Sequence, residues 1–65
     1  MIESNIKRLM KEKRVTVRGL MSETRLANET IVRARGAHIR QCRLETLETI
    51  AHALGCRVKD LFEED

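Results

Sequence analysis

Sixty-five residues leave room for one domain at most, spanning 1–65, and for no large catalytic cleft with its supporting shell. Proline is absent and Ala, Leu, Glu, Arg and Lys dominate, which favours helices, while a single aromatic residue, Phe62, argues against an all-β sandwich and against nucleic-acid binding by base stacking. The net charge of +3 conceals a split: residues 1–43 carry eleven Lys and Arg against four Glu, net +7, and residues 44–65 carry two against six acidic residues, net −4, so a basic surface for a polyanion is expected opposite a surface of another kind.

The first predicted helix is "SNIKRLMKEKR", with Ile6, Leu9 and Met10 on one stripe. Ser4 or Asn5 can cap its start, and Lys11, Lys13 and Arg14 suit the dipole at its end. Thr16 is the expected cap of a second helix, "VRGLMSET", which turns Leu20 and Met21 inward with Val17 or Thr24 alongside. Gly19 inside it costs about 1 kcal/mol relative to Ala, and the expected return is a close approach by another helix. "TRLAN" breaks the pattern, and "NETIVRAR" resumes it as a third short helix ended by Gly36.

"GAHIRQC" is irregular and moderately basic. "RLETLETIAHALG" follows as the clearest helix of the chain, with Leu44, Leu47, Ile50, Ala51 and Leu54 on its apolar stripe and Gly55 as its stop. "CRVKDLF" spaces Val58, Leu61 and Phe62 as one more short helix, before the acidic tail "EED". Nothing reads as a signal peptide or as an apolar run of about 18 to 20 residues. A cytoplasmic protein with no membrane partner is therefore expected, in which a Cys42–Cys56 disulfide would be unusual. Five short helices result. The second and third are each about two turns long and lie three or four residues apart, the pattern of a helix-turn-helix whose second helix enters a DNA major groove.

Two stretches carry a resemblance. "EKRVTVRGLMSETRLANETIVRA" resembles the capped helix, turn and recognition helix of phage-repressor-type domains, the family of Cro and xenobiotic-response-element-like regulators. "LETLETIAHALGCRVKDLFEE" is similar to the family's closing signature, and the likeness covers residues 5–62. It implies an all-α, compact five-helix lambda-repressor-like domain with its helix-turn-helix at about 16–36. It further implies a transcriptional regulator that binds double-stranded DNA through residues 28–35, needs no cofactor and commonly works as a homodimer. Three positions depart from the family pattern. Arg25 stands where the turn usually carries Gly, Val17 where Gln grips a phosphate, and Ala27 where Ser or Thr caps the recognition helix, which leaves Asn28 as an alternative cap. The connection after Gly36 is also longer than usual.

At about 100° per residue, Ile31 and Ala34 share the inward face of the third helix, and Asn28, Glu29, Val32 and Arg33 span the opposite arc. By the resemblance these four are the base-readout residues. Their chemistry suits the role: Arg pairs with guanine, Asn with adenine, Glu accepts from cytosine, and Val touches a thymine methyl. The competing account is a solvated face with a Glu29–Arg33 pair. Arg18, Arg35, His38, Arg40 and Arg43 flank the helix pair as phosphate contacts, Arg18 and Arg43 foremost, with backbone N–H groups near Leu44 as a further anion seat.

His38, Cys42, His52 and Cys56 have spacings that could read as zinc ligands, but Gly55 is expected to end the helix before Cys56, and no metal is expected. Nor is an enzyme: there is no telling Ser/His/Asp set and no Gly-rich phosphate loop. Val58, Leu61 and Phe62 are expected to close the core, and whatever part of their stripe stays exposed serves either a two-fold dimer or the open surface of a monomer. The rival reading is a protein-interaction module on the same fold, antitoxin-like or bridging, without specific DNA reading.

Overall fold

The chain begins and ends on one small sheet, with the helices strung between. The computed structural model describes residues 1–64, so Asp65 of the acidic tail lies outside the described residues. The order is strand β1 (Ile2–Ser4), helices α1 (Ile6–Glu12), α2 (Val17–Thr24) and α3 (Asn28–Arg35), a 3-10 helix (Ala37–Gln41), helix α4 (Leu44–Leu54), a 3-10 turn (Val58–Asp60) and strand β2 (Phe62–Glu64). The strands pair antiparallel, Ile2 with Glu64, Glu3 with Glu63 and Ser4 with Phe62.

The expectation of an all-α, five-helix domain is corrected here. Among the described residues, four α-helices are joined by two short 3-10 segments and a two-stranded sheet. The irregular "GAHIRQ" winds as a 3-10 helix and buries Ile39. The segment read as a fifth α-helix makes one 3-10 turn, in which Asp60 N–H donates to Arg57 O at 2.9 Å and Leu61 N–H to Val58 O at 2.9 Å. It stops there because the Leu61 carbonyl accepts the N–H of Asn5 at 2.7 Å. A carbonyl committed across the molecule cannot carry a helix onward, and Phe62 continues as a strand beside β1.

The core is Ile6 and Met10 of α1, Leu20 of α2, Ile31 and Ala34 of α3, Ile39, Leu61, and Leu47, Ile50, Ala51 and Leu54 of α4. Among the described residues no polar side chain is buried with them. Leu44, on the same apolar stripe of α4, is the exception to the sequence pattern at 69 % exposed. Ser4 ties the sheet to α3: its hydroxyl donates to Ala34 O at 2.6 Å and accepts the N–H of Ile6 at 3.2 Å, so Ser4 rather than Asn5 serves the start of α1.

Helix ends follow local chemistry. Thr16 caps α2 by accepting the N–H of Gly19 at 3.0 Å. A Cβ at Gly19 would lie 3.2 Å from that same Thr16 hydroxyl, so the glycine accommodates its own cap and not a neighbouring helix, as the sequence had suggested. Helix α4 closes on Gly55 at φ 70°, with Gly55 N–H on His52 O at 3.1 Å and Cys56 N–H on Ala51 O at 3.0 Å, the paired bonds of a left-handed stop.

Arg25, the residue ending α2, holds φ 62°, and Arg14 after α1 holds φ 57°. A left-handed non-glycine residue crowds its Cβ against the following carbonyl. Arg25→Gly is therefore expected to stabilise the domain by roughly 1 kcal/mol and to raise its melting temperature by about 4 to 8 °C. An unchanged or lowered melting temperature would show that glycine's greater chain entropy cancels the relief.

Candidate nucleic-acid interface

Helix α3 packs against α1, α2 and the 3-10 helix, and these contacts fix its rotation about its axis. Ile31 and Ala34 are both 0 % exposed. The arc they leave outward holds Asn28, Glu29, Val32 and Arg33, all exposed, with Val32 at 52 %. Apolar area normally goes inward, so an open valine between polar residues gives this face an apolar contact point as well as donors and acceptors.

The start of α3 is plainly built. Ala27 occupies the cap position with extended backbone and no side-chain bond, and Asn28 lies inside the first turn, so Asn28 does not serve as the cap. Ala27 O accepts from Thr30 and Ile31 at 3.1 and 3.2 Å, but the foremost N–H groups gain no side-chain acceptor. A serine oxygen at residue 27 would supply one. Ala27→Ser is expected to stabilise the domain by about 0.5 to 1 kcal/mol, read from a thermal melt, and an unmoved melt would refute the missing-cap account.

Arg33 and Arg43 share a notch of about 260 Å³ between α3 and the start of α4, lined also by Thr30, Gln41 and Thr46. Burial pushes the Cys42 thiol up from its ordinary value, and the positive charge of Arg33 partly offsets this. Arg43 precedes α4 and makes a 3.7 Å pair with Glu45, both side chains being largely exposed. An exposed pair of this kind contributes little and is readily traded for a stronger anion. Arg18 is exposed in the first turn of α2.

The remaining candidate phosphate contacts sit at the C-terminal end of α3 and just beyond it. His38 and Arg40 are exposed on the 3-10 helix, and Arg35 is half-buried with its Nε enclosed and without a hydrogen-bond partner. Thr30, Gln41 and Thr46 were not singled out from sequence. Thr30 lies at the margin of the inward arc, and Gln41 sits in a segment whose winding the pattern did not reveal.

The four candidate metal ligands separate. Cys42 donates weakly to His38 O at 3.9 Å, whereas His52 lines a different hollow with Glu23, Glu45 and Glu48. Among the described residues no three His, Cys, Asp or Glu side chains come together as a metal site. Both cysteines are free thiols. The proposed dimer residues divide in the same way: Leu61 is 0 % exposed and belongs to the monomer core, while Val58 and Phe62 are half-buried. Among the described residues no helix is long and apolar enough to cross a membrane.

A short helix capped at Thr16, a three-residue turn through left-handed Arg25, and a second helix with one polar face outward define a helix-turn-helix DNA-binding fold. The sequence model of the Cro/C1-type HTH DNA-binding domain matches residues 5–64, and the chain belongs to that family. It is thus a DNA-binding regulator in the general sense, from a family that is not one of enzymes. No curated protein matches the chain.

Proposed function

We propose that the protein is a sequence-specific transcriptional regulator that lays α3 in the major groove of double-stranded DNA. The observation that carries this reading is the rotation of α3. With Ile31 and Ala34 locked at 0 % exposure, Asn28, Glu29, Val32 and Arg33 have nowhere to face but outward. A major groove offers guanine O6 and N7 to the Arg33 guanidinium, adenine N6 and N7 to the Asn28 amide, the cytosine amino group to the Glu29 carboxylate, and a thymine methyl to Val32.

Arg18 and Arg43 grip phosphates on the two sides of that helix and set its register without reading sequence. Arg35, His38 and Arg40 add positive potential beyond its far end. As a homodimer the protein would meet two half-sites one DNA turn apart.

Selection of bound sites from random duplex DNA tests the reading. An enriched motif is expected, two-fold symmetric for a dimer. Binding should weaken steeply with salt, with a slope of log K on log salt near −0.9 per neutralised phosphate, and Arg43→Ala should lessen that slope by about 1. Salt-sensitive binding with no enriched motif would sink sequence reading. No binding above background would favour the protein-interaction module instead.

A further inference from the structure

Two hollows share Ile2 and Arg40 as lining residues. One is a groove of about 250 Å³ whose other apolar walls are Ile39, Leu44, Leu47 and Phe62. The other, of about 530 Å³, is lined by Arg35 at the end of α3, by Gly36 and by Glu3 of β1. Through the shared residues they form one depression, apolar at one end and charged at the other. Joined, they fall within the roughly 300 to 1,000 Å³ of small-ligand sites, which pair apolar walls with a few convergent polar groups.

The charged end lacks a counter-ion. Among the described residues neither Arg35 nor Arg40 forms an ion pair. Arg35 is half-buried, and its Nε is the one enclosed side-chain polar atom, among the described residues, without a hydrogen-bond partner. Buried donors nearly always have an acceptor, and a guanidinium withdrawn from water costs free energy unless an anion answers it. Glu3 lines the hollow but bonds to neither arginine. Two cations against one carboxylate leave a single net positive charge, which matches a monoanion.

The apolar end narrows the choice further. Leu44 is 69 % exposed at the rim of the groove, where an apolar side chain gains by being covered. A duplex phosphate would answer the arginines and leave these walls bare. An anion with an apolar chain answers both.

We propose that the depression binds a free, linear, medium-chain monocarboxylate. The carboxylate lies between Arg35 and Arg40, and the alkyl chain runs along Ile39, Leu44, Leu47 and Phe62. The guanidinium fork suits a carboxylate by geometry as well as by charge. The inference goes beyond the DNA reading and does not rest on it, because the ligand is bound, and its binding measured, without DNA.

The chain carries its own reporter. Cys42 lines the groove and Cys56 does not, and both are free thiols. The test is alkylation of the full chain by iodoacetamide, followed by mass spectrometry, with decanoate kept below its micelle-forming concentration. Decanoate is expected to slow modification of Cys42 several-fold, half-maximally at about 1 mM or less, and to leave Cys56 unchanged. Acetate, a head without a tail, and decylamine, the same tail with the opposite charge, should protect neither thiol. Arg40→Gln and Leu44→Glu should each raise the half-maximal concentration by about 10-fold. Both side chains are exposed, so the circular dichroism and melting temperature of the variants should stay close to wild type.

No protection of Cys42 overturns the proposal. So does equal protection of Cys56, which marks general detergent action, or equal protection by decylamine, which removes the role of the arginines. Protection that survives both substitutions in folded protein overturns it as well.

Discussion

Leu61→Ala is expected to remove about 2 to 5 kcal/mol of folding stability, the range for truncating a buried leucine. Leu61 is 0 % exposed and follows the one turn that returns the C-terminal segment to the sheet. A chain of 65 residues has only a few kcal/mol to lose, at roughly 0.05 to 0.15 kcal/mol per residue. The melting temperature should therefore fall by at least about 10 °C, and a sizeable unfolded fraction should be present at room temperature.

Leu44→Ala is the matched control, the same substitution at 69 % exposure. It should leave monomer stability within about 0.5 kcal/mol, as is usual for surface changes. Thermal and urea melts of the two variants, at a concentration where dimers are absent, decide the matter. Equal destabilisation would contradict the placement of both leucines.

The pair also marks where sequence could and could not speak. Both leucines sit on apolar spacing, and spacing reports which side of a helix a residue is on. It does not report whether anything lies beyond that side. At Leu47 the rest of the core lies there; at Leu44, one turn earlier, there is solvent within the monomer. The inward positions of α3 were legible for the complementary reason, because Ile31 and Ala34 are three apart in a helix with polar residues elsewhere.

The fifth helix misled because i, i+3, i+4 spacing over Val58, Leu61 and Phe62 is too short to separate a helix from one turn and a strand. What decided it was a long-range bond, Asn5 N–H to Leu61 O. No local pattern carries that information, and the same holds for β1, whose partner is sixty residues away in sequence. Arg25 was legible at the turn by comparison with a family that places glycine there. Arg14 holds the same left-handed geometry and passed unnoticed as part of a basic run.

Replacing Arg33 by alanine should relax sequence preference at one position of the DNA site, at a cost of about 1 to 3 kcal/mol. Arg33 is exposed on α3 two residues from Ile31 and one from Ala34, both immobile in the core, so its backbone is fixed while its side chain is free. Among the described residues it has no close ion pair: the Glu29 carboxylate, one turn earlier, is not bonded to it. An intrahelical pair was the ordinary explanation for these two charges, and without it no such partner need be displaced for Arg33 to meet a base edge. A bidentate guanidinium on guanine discriminates by geometry, so losing it should lower affinity for the selected motif and leave affinity for unrelated duplexes less affected.

Arg43→Ala is the contrasting variant, since a phosphate contact weakens all sequences alike. The decisive readout is the ratio of motif to non-motif binding at fixed salt. Arg33→Ala should shrink that ratio by roughly 10-fold or more, whereas Arg43→Ala should lower both affinities and preserve it. If instead Arg33→Ala preserves the ratio, the guanidinium reaches a phosphate, and base reading must fall to Asn28, Glu29 and Val32.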